Sequence, residues 1–138
     1  MTSWLFVGPS PLSGIGQVTR KYCDLVDGEY IEFGQTIPDK QWDRGFVFLL
    51  PLIHNMQIAS TVQSRCTKTI FMTVCETETV DPAYGMLAEY TPLYVPSVFA
   101  KTILERQFPT MDLTVLHHWT PLPTRRFNDT VPYTFYTV

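Results

Sequence analysis

The sequence lacks an apolar run of about 18 residues, which is the length that a membrane-spanning helix requires. It carries only ten Lys and Arg residues at a net charge of −3, which argues against an electrostatic nucleic-acid binder. No basic region or cleavage site of a signal peptide precedes the strand-like run at residues 4–7. Cys23, Cys66 and Cys75 are odd in number and lack Cys-x-x-Cys spacing. We therefore expect free, buried thiols and a cytoplasmic protein that is at most peripheral to a membrane.

What the chain does contain is a regular alternation of strand and helix patterns. Its 138 residues are 45% hydrophobic and 17% charged, as in one globular domain of ordinary size. Such alternation implies right-handed crossovers, so we predict an α/β fold: a Rossmann-like, doubly wound, mainly parallel sheet with helices on both faces. Strands are predicted at residues 3–8, 30–33, 46–50, 68–75, 93–95 and 112–116, and helices at 14–27, 52–65, 83–89 and 97–107.

The first helix and the stretch before the third strand carry the most specific local predictions. Ser13 is expected to cap the first helix. The apolar face of that helix is expected to comprise Ile15, Val18, Tyr22, Leu25 and Val26. Residues 35–45 contain several turn-forming residues and are predicted to be a loop.

The C-terminal residues differ in character from the rest. Residues 119–131 contain two prolines and indicate a surface loop or linker, whereas residues 132–138 indicate a strand. That strand could join the edge of the same sheet or begin another domain. We place the boundary between a first domain, residues 1–130, and the start of a second, residues 131–138.

A glycine-rich turn separates the first predicted strand from the first helix. Gly14 and Gly16 would let an anion approach the backbone N–H groups at the start of the helix. The dinucleotide-binding pattern is incomplete, since Thr19 replaces its third glycine, and no Gly-Lys-Ser/Thr of a P-loop is present. The turn either contacts a phosphate or needs glycine only for its own geometry.

Polar residues follow the later strands at what should be their carboxyl ends. Glu76 directly ends a buried run and could bind a hydroxyl or act as acid or base, or could simply be solvated. His117 and His118 are neighbours on a strand and point to opposite faces, so they are poor joint metal ligands. One of them could contact a ligand, or the pair could serve packing. Ser97 follows a Val-Pro pair and is expected to cap a helix.

Taken in order, these motifs resemble a known family. The chain has Ser-Gly-Ile-Gly-Gln-Val-Thr-Arg at 13–20, Met-Thr-Val-Cys-Glu-Thr at 72–77 and Tyr-Val-Pro-Ser-Val-Phe-Ala-Lys at 94–101. The segment 133–138 is similar to a Phe-x-Phe-x-x-Val strand. The chain thus resembles the N-terminal domain of retaining, sugar-nucleotide-dependent glycosyltransferases of the GT-B architecture (the family 4-like, group 1 type). It departs from them at Cys75, where an aromatic residue is usual, and at His118, where Gly is usual.

The resemblance implies a function that this chain would share with a second domain. In that family the N-terminal domain holds a sugar, lipid or protein acceptor, and the C-terminal domain binds the nucleotide-sugar donor. The resemblance implies catalytic roles for Glu76 and His117, and donor-phosphate contacts at Gly14, Gly16 and Ser97. It implies no metal and no cofactor. We expect a hexosyltransferase that is inactive until a donor-binding domain or partner chain completes it.

Two other functions and one mode of association remain open. The chain could be a non-catalytic α/β binding module that keeps the fold. It could also be a nucleotide-binding oxidoreductase-like domain, with Glu32 as the ribose-binding acid. Uncovered apolar surface predicts self-association through the C-terminal strand or the cleft face.

Overall fold

The computed structural model describes residues 1–118 of the chain. The predicted linker at 119–131, the predicted strand at 132–138 and the domain boundary at 131 lie outside the described residues. The strands are β1 (Trp4–Gly8), β2 (Glu29–Glu32), β3 (Trp42–Phe48), β4 (Cys66–Met72), β5 (Leu93–Val95) and β6 (Leu113–Val115). The α-helices are α1 (Gly14–Leu25), α2 (Ile53–Arg65) and α3 (Val98–Gln107), and a 3₁₀ helix spans Pro82–Glu89.

The six described strands form a single sheet in the order β2-β1-β3-β4-β5-β6, and every neighbouring pair is parallel. This confirms the predicted α/β class and its Rossmann-like parallel sheet. The chain runs outward from β1 to β2 and then returns to β3 on the other side of β1. The strand order therefore reverses between β1 and β3, where α/β sheets usually open a crevice at their carboxyl edge.

Alternate residues of the strands pack against helices on opposite faces. On β1, Phe6 belongs to a buried cluster with Cys23 of α1. Leu5 and Val7 belong to a second cluster with Val62 of α2. Because successive side chains of a strand point to opposite faces, α1 lies on one face of the sheet and α2 on the other. The predicted cover of helices on both faces is confirmed.

The third strand begins earlier than predicted. It starts at Trp42, so residues 42–45, which were predicted to lie in a loop, belong to β3. Trp42 is buried and is paired with Cys66 of β4. Gly45 lies inside the strand, where a Cβ atom would come within 2.8 Å of the Cys66 and Val62 side chains. Its glycine reflects the close packing of α2 on the sheet, and the prediction that it marks a turn was wrong.

The buried face of α1 agrees with the prediction only in part, at Ile15 and Tyr22, which pack partly buried against the cluster of Phe6 and Cys23. Gly16, Thr19 and Cys23 are its buried residues, while Leu25 is 60% exposed and Val26 is 40% exposed. Small residues let the helix lie close to β1, and this rotates the larger aliphatic residues near its C-terminus toward solvent. The helix ends at Leu25, two residues before the predicted end.

No helix of the described region is both long and apolar enough to cross a bilayer. Its three cysteines are all buried and free, as the sequence predicted.

Buried thiols make the stability of the fold sensitive to alkaline pH. Burial raises the pKa of Cys23 and of Cys66 from 9.0 to about 11. The unfolded chain therefore loses these protons first, and the free energy of unfolding should fall between about pH 9 and pH 11 by at most about 1.4 kcal/mol per pH unit per thiol. Urea unfolding at about pH 8 and about pH 10 measures this. Equal stabilities would contradict it, and Cys66→Ala should give a shallower decline.

Candidate functional site

All six strands of the sheet are parallel, so the loops that follow them meet at one carboxyl edge. This edge carries the glycine-rich turn after β1, the loop with Glu76 after β4, Ser97 after β5 and His117 after β6. The sequence placed all these candidate residues at the carboxyl ends of strands. Their mutual geometry decides which of them can act together.

The turn between β1 and α1 is closed by its own hydrogen bonds. The Ser13 N–H and Ser13 hydroxyl both donate to the carbonyl of Ser10, at 2.9 and 2.8 Å. Ser13 Oγ in turn accepts from the N–H of Gly16 at 3.0 Å, which confirms Ser13 as the N-cap of α1. The turn is therefore a preformed structure.

The two glycines of this turn have different reasons to be glycine. A Cβ at Gly16 would overlap the Ser10 carbonyl oxygen and lie 2.8 Å from the carbonyl oxygen of Pro9. Gly16 is thus required by the approach of α1 to the preceding loop, whatever the site binds. Gly14 has no atom within 4 Å of a Cβ built on it, so it borders open space. A ligand can approach the backbone closely at Gly14.

Glu76 is separated from the end of β4 by three residues, so the strand ends earlier than predicted, but Glu76 does directly follow the buried run, as the sequence predicted. The strand β4 ends at Met72, and residues 73–75 after it are buried or partly buried. The N–H of Thr73 donates to Tyr94 at 3.0 Å, and its buried hydroxyl donates to the Leu49 carbonyl at 2.8 Å. Cys75 is buried as well, with its thiol 3.7 Å from the Ala100 carbonyl. Glu76 is the first exposed residue after this anchored segment.

One cavity joins the start of α1 to the Glu76 loop. It has a volume of about 280 Å³, and its wall includes Ile15 of α1 together with Glu76. The first N–H groups of a helix have no partner within that helix and carry the positive end of its dipole. The cavity thus offers backbone donors near one wall and a carboxylate on another. Its remaining lining residues are Val74, Cys75, Thr77, Val80 and Tyr84.

Tyr84 also lines the cavity, although nothing in the sequence distinguishes it from a tyrosine that serves only in core packing. Its hydroxyl donates to the Val74 carbonyl at 2.9 Å. Burial raises the pKa of Tyr84, and the nearby charges of Cys75, Glu76 and Asp81 raise it further. The phenol therefore stays neutral and fixes the segment that leads to Glu76. No spacing in the sequence signals this contact, because it depends on the turn at Asp81.

Ser97 and His117 lie at the same edge but do not line this cavity. The hydroxyl of Ser97 accepts from the Ala100 N–H at 3.1 Å and so caps α3, as the sequence predicted. His117 is exposed, and its Nδ1 atom lies 3.1 Å from the Pro96 carbonyl. Its own carbonyl accepts from the Tyr22 hydroxyl at 2.7 Å. The structure therefore brings Glu76 together with the start of α1, and leaves these two residues in positions that support the backbone.

Within residues 1–118, no group of three or more His, Cys, Asp or Glu side chains could hold a metal ion. Ile15 in the first turn of α1 lines the cavity, and among residues 1–118 the one acidic wall residue is Glu76. This set suits a ligand that has hydroxyl groups and an anionic portion. Comparison of the chain with protein-family models, with curated proteins and with solved structures gave no match.

Proposed function

We propose that the chain is the acceptor-binding half of a glycosyltransferase that moves a sugar from a nucleotide-sugar donor to an acceptor. The observation that carries this proposal is the cavity that Ile15 and Glu76 both line. A carboxylate that accepts hydrogen bonds from hydroxyl groups then lies across one cavity from a helix N-terminus that favours phosphate. Sugar transfer from a nucleotide donor requires both kinds of contact in one place.

The apolar and the acidic residues of the cavity wall would contact different parts of a sugar. The apolar side chains of Ile15, Val74 and Val80 would pack against the C–H face of a sugar ring. Glu76 would accept a hydrogen bond from a hydroxyl of that ring and could take up its proton. The carboxylate lies at the end of a segment that Thr73 and Tyr84 hold in place, so its position is fixed before the ligand binds.

The departing diphosphate would lie on the side of the glycine-rich turn. Backbone N–H groups aimed at developing negative charge stabilise a transition state without reorganising. Gly14 leaves room for such an approach. Among residues 1–118, no Lys, Arg or His lines the cavity, so the described region does not supply the cationic part of a phosphate site. We therefore propose that a donor-binding domain or partner chain supplies it, and that the chain alone does not catalyse transfer.

Substitutions at position 14 test the phosphate contact without disturbing the turn. Gly14→Asp would place a carboxylate beside the anion, whereas Gly14→Ala adds only a methyl group in open space. Because the turn supplies only part of a phosphate site, we expect the 138-residue chain to bind UDP-glucose or GDP-mannose weakly, with a Kd of about 1 mM, in an NMR titration. Gly14→Asp should weaken that binding at least about tenfold, and Gly14→Ala should leave it within about twofold. Absence of binding at millimolar ligand, or equal affinities for the two variants, would contradict the proposal.

A second candidate is a non-catalytic binding module, and the positions of Ser97 and His117 favour it. Both residues are engaged with the backbone around Pro96 and Ala100, outside the cavity. The two candidates differ in what they do to a donor. Joined to a donor-binding domain, an acceptor-binding half should yield glycosylated product, whereas a module would bind saccharide without any turnover.

A further inference from the structure

Most of β4 has no neighbouring strand on its β5 side in the described part of the chain. The strand β4 spans Cys66–Met72 and pairs with β3 along that length. The shorter β5 reaches only two of its residues, Phe71 and Met72. Residues 66–70 of β4 therefore form an open edge on the side where β5 pairs only with Phe71 and Met72.

The hydrogen bonds further along β4 show which backbone groups this edge presents. The Phe71 N–H donates to the Pro92 carbonyl, and the Thr73 N–H donates to the Tyr94 carbonyl, each at 3.0 Å. Alternate residues of a parallel strand bond to alternate sides, so the odd-numbered residues of β4 face β5. Thr67 and Thr69 must then direct their N–H and C=O groups at the open edge.

A cavity of about 500 Å³ follows this edge. Thr67, Lys68, Thr69 and Ile70 line it along β4, and Thr91 and Pro92 line its end. The Thr69 hydroxyl oxygen is buried and has no hydrogen-bond partner among residues 1–118. A buried hydroxyl without a partner is costly, and a bound group that reached it would remove that cost.

The same edge concentrates positive charge. Arg44 of β3 and Lys68 of β4 are register partners and line the cavity together. Like charges on neighbouring strands destabilise a sheet, and neither residue forms an ion pair within the described region. Asp43, beside Arg44 in sequence, accepts hydrogen bonds from the N–H and the hydroxyl of Ser3, at 2.7 and 2.9 Å. An external anion would relieve the repulsion between the two cations.

We propose that the open edge of β4 binds an extended acidic peptide segment of another protein, which adds a parallel or antiparallel strand beside Thr67 and Thr69. A peptide backbone offers donors and acceptors in alternation and so satisfies both the N–H and the C=O groups of the edge. A phosphate would satisfy only the N–H groups. Acidic side chains of the added strand would face Arg44 and Lys68. A second copy of this chain is disfavoured, because it would bring the same cations together.

A labelled peptide of about seven residues with alternating Glu and Val tests this in a fluorescence-polarisation titration of the 138-residue chain. We expect saturable binding that weakens with added salt. Lys68→Glu should weaken it at least about tenfold, whereas Lys101→Glu on α3 should leave it unchanged. Thr67→Pro should also weaken it, since it removes an N–H that faces the open edge. Circular dichroism checks that each variant is folded, and binding is scored only for folded variants.

Four outcomes would overturn the proposal. The first is no binding of the Glu/Val peptide at about 1 mM by the folded wild-type chain. The second is equal binding of a Glu/Pro peptide or of inorganic phosphate, which would show an anion site without strand addition. The third is concentration-dependent dimerisation that Lys68→Glu enhances, which would show that a second copy occupies the edge. Equal binding of a Lys/Val peptide would likewise contradict the role of Arg44 and Lys68.

Discussion

Gly16→Ala is expected to lower the free energy of unfolding by about 2–3 kcal/mol, as overpacking does at a site that cannot relax. The added Cβ would overlap the Ser10 carbonyl oxygen and lie 2.5 Å from the Ser10 carbonyl carbon. These are backbone atoms of a loop that Ser13 closes with two hydrogen bonds, so they cannot move without breaking that closure. Urea unfolding followed by circular dichroism measures the change.

Gly14→Ala is the matched control for that prediction, because it adds the same methyl group two residues earlier, where the space around it is open. Alanine is favoured over glycine in helices, so this variant should be unchanged or more stable by up to about 1 kcal/mol. A Gly16→Ala protein as stable as the wild type would refute the close approach of α1 to Ser10. A comparable loss in both variants would mean that glycine serves the backbone conformation of the helix start instead.

Glu76→Gln is expected to reduce the affinity of the chain for a saccharide by about tenfold to a hundredfold. A hydrogen bond to a charged group contributes about 1.5–3 kcal/mol, and glutamine keeps the shape of the side chain while it removes the charge. In the described part of the chain, Glu76 carries the one carboxylate on the cavity wall. Saturation-transfer NMR with a panel of methyl glycosides, run on the 138-residue chain, ranks the affinities of wild type and variant.

Glu78→Gln provides the comparison for Glu76→Gln. Glu78 is an exposed acid two residues along the same loop and does not line the cavity. Its carbonyl accepts a hydrogen bond from Arg106 at 2.9 Å, and that bond does not involve the carboxylate. Saccharide affinity should therefore be unchanged in Glu78→Gln. Equal losses in the two variants would show that binding responds to the overall charge of the loop and not to a contact with Glu76.

The sheet could be predicted because its strands are apolar runs of the length that buried parallel strands need. The run at β3 is buried at Phe46, Val47 and Phe48, so hydrophobicity alone located the C-terminal part of that strand. Its beginning was missed, because Asp43, Arg44 and Gly45 resemble a turn. Gly45 is explained only by the side chains of Val62 and Cys66, and no local pattern reveals such a distant contact.

The face of α1 could not be predicted from hydrophobicity for a similar reason. Helical spacing of Leu25 and Val26 favoured their burial, yet both are exposed. The helix packs instead through Gly16, Thr19 and Cys23, since small residues permit a short distance between helix and sheet. Hydrophobicity scales do not measure that distance.

The general position of the candidate site could be predicted from the sequence, but the path of the chain between β4 and Glu76 could not. Parallel strands place polar residues after their ends at one edge, so the neighbourhood of Gly14 and Glu76 followed from topology. The topology did not predict the buried segment that separates β4 from Glu76. Thr73 and Cys75 look like strand residues in sequence, and their contacts are with Leu49, which follows β3, and with Ala100 of α3.

Backbone chemical-shift mapping tests most directly whether the turn at the start of α1 and the Glu76 loop form one ligand site. The ¹⁵N–¹H spectrum of the 138-residue chain is recorded during titration with UDP-glucose and with methyl glycosides. The account predicts that the largest shifts fall at Ile15 and residues 74–77, which line a single cavity, and at the neighbouring Gly14. Shifts confined to residues 66–70 at the opposite end of β4, or no shifts at millimolar ligand, would contradict it.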